Sequence, residues 1–193
     1  VGIPLGTEIR IVDPAADAAE ASEEPLPAGE IGEVLIHVGE RHREYYRNPS
    51  ATADTWSGEW LRSGDLGWLD DDGYLYITGR AKDVIIRGGN NVHAADVEAV
   101  LYQHPDVAEA AVAAVPHEVL GEDVGAWVVL RAGSGLAGMA QELAGEKLTA
   151  FCREHLADYK CPRTVTFIDE LPRNPTGKVL KADLPPATDI APT

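Results

Sequence analysis

Two short turn signals in the middle of the chain, residues 70–73 (DDDG) and 88–91 (GGNN), do most to restrict its fold. Each is flanked by apolar runs and is rich in residues that tolerate a tight reversal. The first turns GWL back into YLYITGR and the second turns VIIR back into VH, so both segments are expected as antiparallel hairpins, with Gly88 and Gly89 able to take positive φ. Upstream, residues 7–13 alternate Ile9 and Ile11 with Glu8 and Arg10, the period of a half-buried strand, and residues 32–38 supply another. Between them lies DPAADAAEASEEPLPAGE, whose Pro14, Pro25, Pro27 and many acids cannot build a core, so a mobile loop is expected there. Up to Arg80 the chain reads as a small β-rich unit.

Beyond Arg80 the periodicity changes. Residues 94–104 place Val97, Val100 and Leu101 on one face, set Asp96 and Glu98 near the positive N-terminal end and stop before Pro105, which predicts an amphipathic helix. Residues 107–115 and 124–130 read as apolar strands joined by a loop that contains Pro116 and Gly121. Residues 141–156 fit a second helix through Leu143, Leu148, Phe151, Cys152 and Leu156, with Gly145 as an interruption. Residues 165–168 are a last strand, and the tail PPATDIAPT is expected to be disordered. The fold class is therefore α+β: a β-rich unit over residues 1–80 and an α+β unit over 81–193, meeting near residues 81–83.

Charge excludes some functions. With 16 Lys and Arg against 32 Asp and Glu, the net charge of −16 is wrong for a nonspecific nucleic-acid or anionic-membrane binder. No run approaches the roughly 20 apolar residues of a membrane span, and the N-terminus lacks the basic and apolar regions of a leader. A soluble, cytoplasmic protein is expected, and a chain that begins with Val reads as a piece of a longer one. Cys152 and Cys161 make no disulfide framework; Cys152 and His155 share a helical face but lack further ligands, so no metal site is expected and both thiols read as reduced.

Three segments could carry chemistry. In SGDLG, Asp65 can accept hydrogen bonds from the two neighbouring hydroxyls of a ribose, or simply cap its own turn. In GRAKDVIIRGGNN, Arg80 can fork onto phosphate or ribose oxygens, while Gly88 and Gly89 let backbone approach a ligand; a plain hairpin with surface charges is the alternative. In NPTGKVLK, Lys178 can place a point charge on phosphate or carboxylate oxygens, or be an exposed turn lysine with no role. The spacing of a GxxxxGK[ST] phosphate loop is absent, no GxSxG or Ser/His/Asp set can be assembled, and Asp70–Asp72 read as solvated turn carboxylates. Tyr45, Tyr46, Trp56 and Trp60, interleaved with Arg41, His42, Arg43 and Arg47, read as packing of a connecting segment rather than a base-stacking strip.

Taken in order, EYYRNPSATADTW, GEWLRSGDLGWLDDDGYLYITGR, KDVIIRGGNNVHAADVE, VAAVPHEVLGEDVGAWVVL and LPRNPTGKVLKADL resemble the C-terminal part of the adenylate-forming (AMP-binding) superfamily, which includes acyl-CoA synthetases, aryl-CoA ligases, luciferase and peptide-synthetase adenylation domains. The resemblance covers nearly the whole chain and is nearest to acyl-CoA synthetases and fatty-acid–CoA ligases. It implies the last β-rich subdomain of a large AMP-binding domain followed by a mobile α+β C-terminal domain. It also implies an acid–CoA ligase that makes acyl-AMP from a carboxylate and ATP with Mg, then acyl-CoA from CoA. By the same resemblance Asp65 binds the ribose hydroxyls, Arg80 the nucleotide, and Lys178 the carboxylate and α-phosphate. Lys82 is the hinge between the two half-reactions, Gly88 and Gly89 meet the pantetheine arm, and Tyr159 and Lys160 meet the nucleotide end of CoA. The phosphate loop and Mg ligands are expected upstream, so the partner is the N-terminal part of the same protein and the 193 residues alone are expected to be inactive. Alternatives are a carrier-protein-loading adenylation domain, a CoA-independent acyl-AMP ligase, or a non-catalytic regulatory or interaction module. Asn90 stands where the family often has Glu, and His93-Ala94 where it often has an aromatic residue and Pro.

Overall fold

The computed structural model describes residues 2–14, 24–39 and 43–187. Half of the expected mobile loop, residues 15–23, and most of the expected disordered tail, 188–193, lie outside the described residues; in the other half of the loop Leu26 instead packs against the core of the first unit and donates its amide to the Ile11 carbonyl at 2.8 Å. The chain divides into two compact units, Val1–Lys82 and Asp83–Thr193.

The first unit is an antiparallel sheet. Strands β1 (Ile9–Val12), β2 (Gly32–His37), β3 (Trp56–Ser57), β4 (Trp60–Leu69) and β5 (Leu75–Arg80) are arranged β1-β2-β4-β3, with β5 also paired to β4. The apolar alternation that predicted β1 faces Ile9 and Ile11 into a cluster in which Ile11, Val34 and Leu75 are buried, with Ile36 and Leu69 against them. The expected hairpin joins β4 to β5, and its turn is held by Asp70: Oδ1 accepts the Asp72 and Tyr74 amides at 3.1 and 2.8 Å. A short helix, α1 (Pro49–Thr55), lacks an apolar stripe and was not legible from periodicity; Asn48 caps it by accepting the Ala51 amide at 3.1 Å, with Pro at its start. The aromatic segment before it does not pack as expected, since Tyr45 and Tyr46 are 56% and 85% exposed, although Trp56 Nε1 donates to the Arg43 carbonyl at 2.9 Å. Arg41 and His42 of that cluster lie outside the described residues.

The second unit is built around one strand. Strands β6 (Val84–Arg87), β7 (Asn90–His93), β8 (Val107–His117), β9 (Gly121–Leu130) and β10 (Thr164–Phe167) form a sheet of order β10-β9-β6-β7, with β8 also paired to β9. Helices α2 (Ala94–Leu101) and α3 (Gln141–His155) cover one face; α3 is the crossover that lets β10 run parallel to β9. Alternation along β8 and β9 sends Ala110, Val112, Val124, Ala126 and Val128 into the helix-covered core, and Ala111, Val115, Trp127 and Val129 to the opposite face. There the chain after β10 closes over them with Leu171, Val179 and Leu184, and Trp127 Nε1 donates to the Pro185 carbonyl at 2.8 Å.

Four expectations change in this unit. The β8–β9 connection is not a long loop: both strands extend through Pro116 and Gly121, which leaves three residues between them, and Pro116, which has no amide to donate, is tolerated beside the turn. Helix α2 ends at Leu101, where the Gln103 and His104 amides bond back three residues to Val100 and Leu101 instead of continuing the helix. Gly145 does not interrupt α3; it is buried beside Ala144, Leu148, Thr149 and Cys152, whereas Leu143 is 48% exposed. Residues 185–187 of the tail are ordered against the sheet through Pro185 and Ala187.

Truncating Leu148, which is fully buried, to Ala should cost about 2–5 kcal/mol, and Leu143→Ala under about 1 kcal/mol, in denaturant unfolding of the 193-residue chain. Equal costs would contradict the assignment of the buried face.

Candidate functional site

Asp65 and Arg80 are direct cross-strand partners on β4 and β5. Gly64, at φ 71°, takes the left-handed conformation just before Asp65, and the Ser63 hydroxyl accepts the Asp65 amide at 3.0 Å. The register shifts between Leu66 and Gly67, a bulge beside which the Thr78 hydroxyl donates to the Leu66 carbonyl at 3.2 Å. It is thus Ser63 that closes the turn, while the Asp65 carboxylate reaches across the strands to accept from Arg80 Nε at 2.8 Å. Their side chains are 35% and 39% exposed, and such a pair adds only about 0.2–1 kcal/mol to stability. Structurally it does little; chemically it presents an oriented carboxylate with acceptor capacity beyond one N–H.

In the second unit Gly88 and Gly89, at φ 54° and 84°, form the two-residue turn between β6 and β7, both in the left-handed region. Arg87 precedes them and faces inward: its Nε lies 2.6 Å from Asp123 Oδ1 in a buried pair, and Nη1 donates to the Tyr159 carbonyl at 3.1 Å. Tyr159 and Lys160 occupy a single 3-10 turn, Asp158–Lys160. Arg163 and Arg153 hold the Asp158 carboxyl below its usual range, and Lys160 Nζ donates to Asp96 Oδ2 on α2 at 2.8 Å. The Gly-Gly turn, Tyr159 and Lys160 are therefore brought into one neighbourhood by Arg87 and Asp96. Asn90, an unusual residue in the resemblance, donates from Nδ2 to the Arg87 carbonyl at 3.3 Å.

Lys178 sits on a turn organised by one side chain. Asn174 Oδ1 accepts the Thr176 amide, the Thr176 hydroxyl and the Lys178 amide at 3.0, 2.7 and 2.9 Å. Arg173 Nη1 donates to the Gly177 carbonyl at 2.7 Å and pairs with Glu109 of β8. Lys181, three residues on, is pinned: Nζ lies 2.8 Å from both Glu98 Oε1 and the Val112 carbonyl. Lys178 is exposed, and its ammonium has no hydrogen bond or ion pair among the described residues. Lys82, in the 3-10 turn Ala81–Asp83, is exposed and likewise unpaired among the described residues. Sequence reasoning missed Arg87, Arg173 and Lys181, and read Glu98 only as a charge near a helix end. No local signal marks them; Val112, for example, is 69 residues from Lys181.

Among the described residues no group of three or more His, Cys, Asp or Glu is placed to hold a metal ion. No described helix is long and apolar enough to cross a membrane.

Residues 96–178 match the model of the AMP-binding enzyme C-terminal domain. Over 180 residues the chain is 42% identical to the 2-succinylbenzoate–CoA ligase of Geobacillus kaustophilus, covering 93% of this chain and 35% of that protein. Among solved structures, ATP-bound MatB from Rhodopseudomonas palustris superposes with TM-score 0.79 at 34% identity, over 94% of this chain and 34% of that one. The amide bond synthetase McbA from Marinactinospora thermotolerans gives TM-score 0.75 at 40% identity, over 94% and 35%. The chain spans about a third of the length of the curated relatives it matches.

Neither cysteine is poised as a nucleophile. Both are free and buried, and burial pushes the Cys152 thiol up to about 12 and raises Cys161 as well. At pH 8 a thiol reagent should leave both unmodified in the native chain and modify both in denaturant; rapid native labelling would contradict the burial. Because the folded Cys152 thiol titrates above the unfolded one, the stability from its burial is intact below about pH 9 and is lost as the pH rises toward about 12.

Proposed function

We propose, from the premise that this chain belongs to the adenylate-forming, AMP-binding enzymes whose C-terminal domain it carries, that it serves an ATP-dependent acid–CoA ligase. Such a protein forms acyl-AMP and pyrophosphate from a carboxylate and ATP, then transfers the acyl group to the thiol of CoA and releases AMP. In the first step Asp65 accepts from the ribose hydroxyls, with Arg80 orienting it and binding the nucleotide. Lys178 places its positive charge where the carboxylate oxygen attacks the α-phosphate, an electrostatic role rather than an acid–base one. Lys82 is the hinge at which the domain turns between steps, since the two half-reactions need different groups at one centre. In the second step the Gly88–Gly89 turn lets the thiol arm pass close to backbone, while Tyr159 and Lys160 meet the nucleotide end of CoA.

The observation that carries this reading is the contrast between two neighbouring lysines. Lys181 is held by Glu98 and Val112, whereas Lys178, on a turn braced by Asn174 and Arg173, keeps its ammonium available to an anion. A second reading, an acceptor other than CoA, draws support from the similarity to an amide bond synthetase.

In a protein joining this chain to the upstream region that its relatives carry, Lys178→Ala should slow acyl-AMP formation by about 10²–10³-fold and spare thioester formation from supplied acyl-AMP. Equal loss of both half-reactions would refute the assignment. The 193-residue chain alone should release no pyrophosphate from ATP and a carboxylate; robust release would overturn the division of labour proposed here.

A further inference from the structure

The Gly88–Gly89 turn rests on the neighbouring turn between β8 and β9. The Gly88 amide donates to the Leu120 carbonyl at 3.1 Å, Arg87 is the register partner of Gly121, and the Ile86 amide donates to Glu122 Oε2 at 2.8 Å. Leu120 also packs on the tip, because a Cβ added to Gly88 would lie 3.0 Å from Leu120 Cδ2. What fixes Leu120 is a side chain outside the β6–β7 hairpin. His117 Nδ1 accepts the Val119 and Leu120 amides at 3.2 and 3.1 Å, closing the three-residue turn although Val119 itself is 85% exposed. Imidazole here does what an Asn or Asp side chain does at the start of an Asx turn, with Nδ1 as the acceptor. His104 does the same for the Asp106 amide at 3.2 Å.

We propose that His117 is a positioning residue for thioester formation: through Leu120 it sets where the Gly88–Gly89 tip stands. This rests on the functional reading above, in which that tip meets the thiol arm of the acceptor. Acyl-AMP formation is left unchanged, because the side-chain bonds of His117 among the described residues go to the Val119 and Leu120 amides and not to the groups assigned to that step.

The test compares His117→Ala with His117→Asn, whose Oδ1 is bonded to Cγ as Nδ1 is in His and can accept the same amides. In the 193-residue chain, hydrogen exchange read by NMR should show the Gly88 amide exchanging about three- to tenfold faster in His117→Ala, the effect of losing one ordinary hydrogen bond, and near the wild-type rate in His117→Asn. In the protein that joins this chain to its upstream region, single-turnover thioester formation from supplied acyl-AMP and CoA should fall by a similar factor in His117→Ala and recover in His117→Asn, with pyrophosphate release unchanged. Unaltered Gly88 exchange in His117→Ala, failure of His117→Asn to restore it, or equal slowing of both half-reactions overturns the proposal. A wild-type protein that makes no acyl-AMP overturns the functional reading, and with it the thioester half of the proposal, whatever the exchange data show.

Discussion

Strand β9 is buried on both faces, and the arrangement of the second unit follows from that constraint. One set of its side chains, Val124, Ala126 and Val128, needs the helices; the alternate set, led by Trp127, needs another cover. The segment after β10 supplies it, anchored by Leu171, Val179 and Leu184 and tied at Pro185 to the Trp127 indole. Covering the second face is thus also what mounts the Lys178 turn on the sheet. Packing and the proposed function share one segment, and the exposed lysine is a by-product of how the apolar side chains beside it are buried.

The charges divide in the same way. In a chain of net charge −16, the cations described above divide by whether a carboxylate holds them. Arg87, Arg173, Lys160 and Lys181 are held by Asp123, Glu109, Asp96 and Glu98, and they join strands, turns and helix α2. Lys178 and Lys82 have no such partner among the described residues. A lysine held by a carboxylate and a carbonyl is costly to release. One left in water can lend its charge to a substrate at little loss.

Much of this was legible in the sequence where local rules decide. The two hairpins followed from DDDG and GGNN, and the buried face of β1 from the alternation of Ile9 and Ile11; Val97, Val100 and Leu101 marked the buried side of α2. Where distant partners decide, it was not. Leu143 looked like a core position and Gly145 like a break, yet packing of α3 against the sheet selected Ala144 and Gly145 for the buried side. Pro116 and Gly121 looked like loop residues, but continuous pairing of β8 with β9 carried the strands through both. Helix α1 has a cap and a proline but no apolar stripe, so periodicity does not show it. Asp65 and Arg80 were named separately; that they pair follows from a strand register which their separation in the chain does not disclose. The anchors Lys181 and Arg87 carry no motif, because their partners are set by the tertiary fold.

The proposed function amounts to two sets of residues serving one centre in turn: Asp65, Arg80 and Lys178 for the acyl-adenylate, and the Gly88–Gly89 turn with Tyr159 and Lys160 for the acceptor. The most direct test is a crystal structure of the protein that carries this chain, bound to a non-hydrolysable acyl-adenylate analogue. The account predicts the Asp65 carboxylate on the ribose hydroxyls and Lys178 Nζ within hydrogen-bond distance of the acyl or phosphate-mimic oxygens. An analogue bound with Asp65 away from the ribose, and with Lys178 in solvent in every conformation captured, would contradict it.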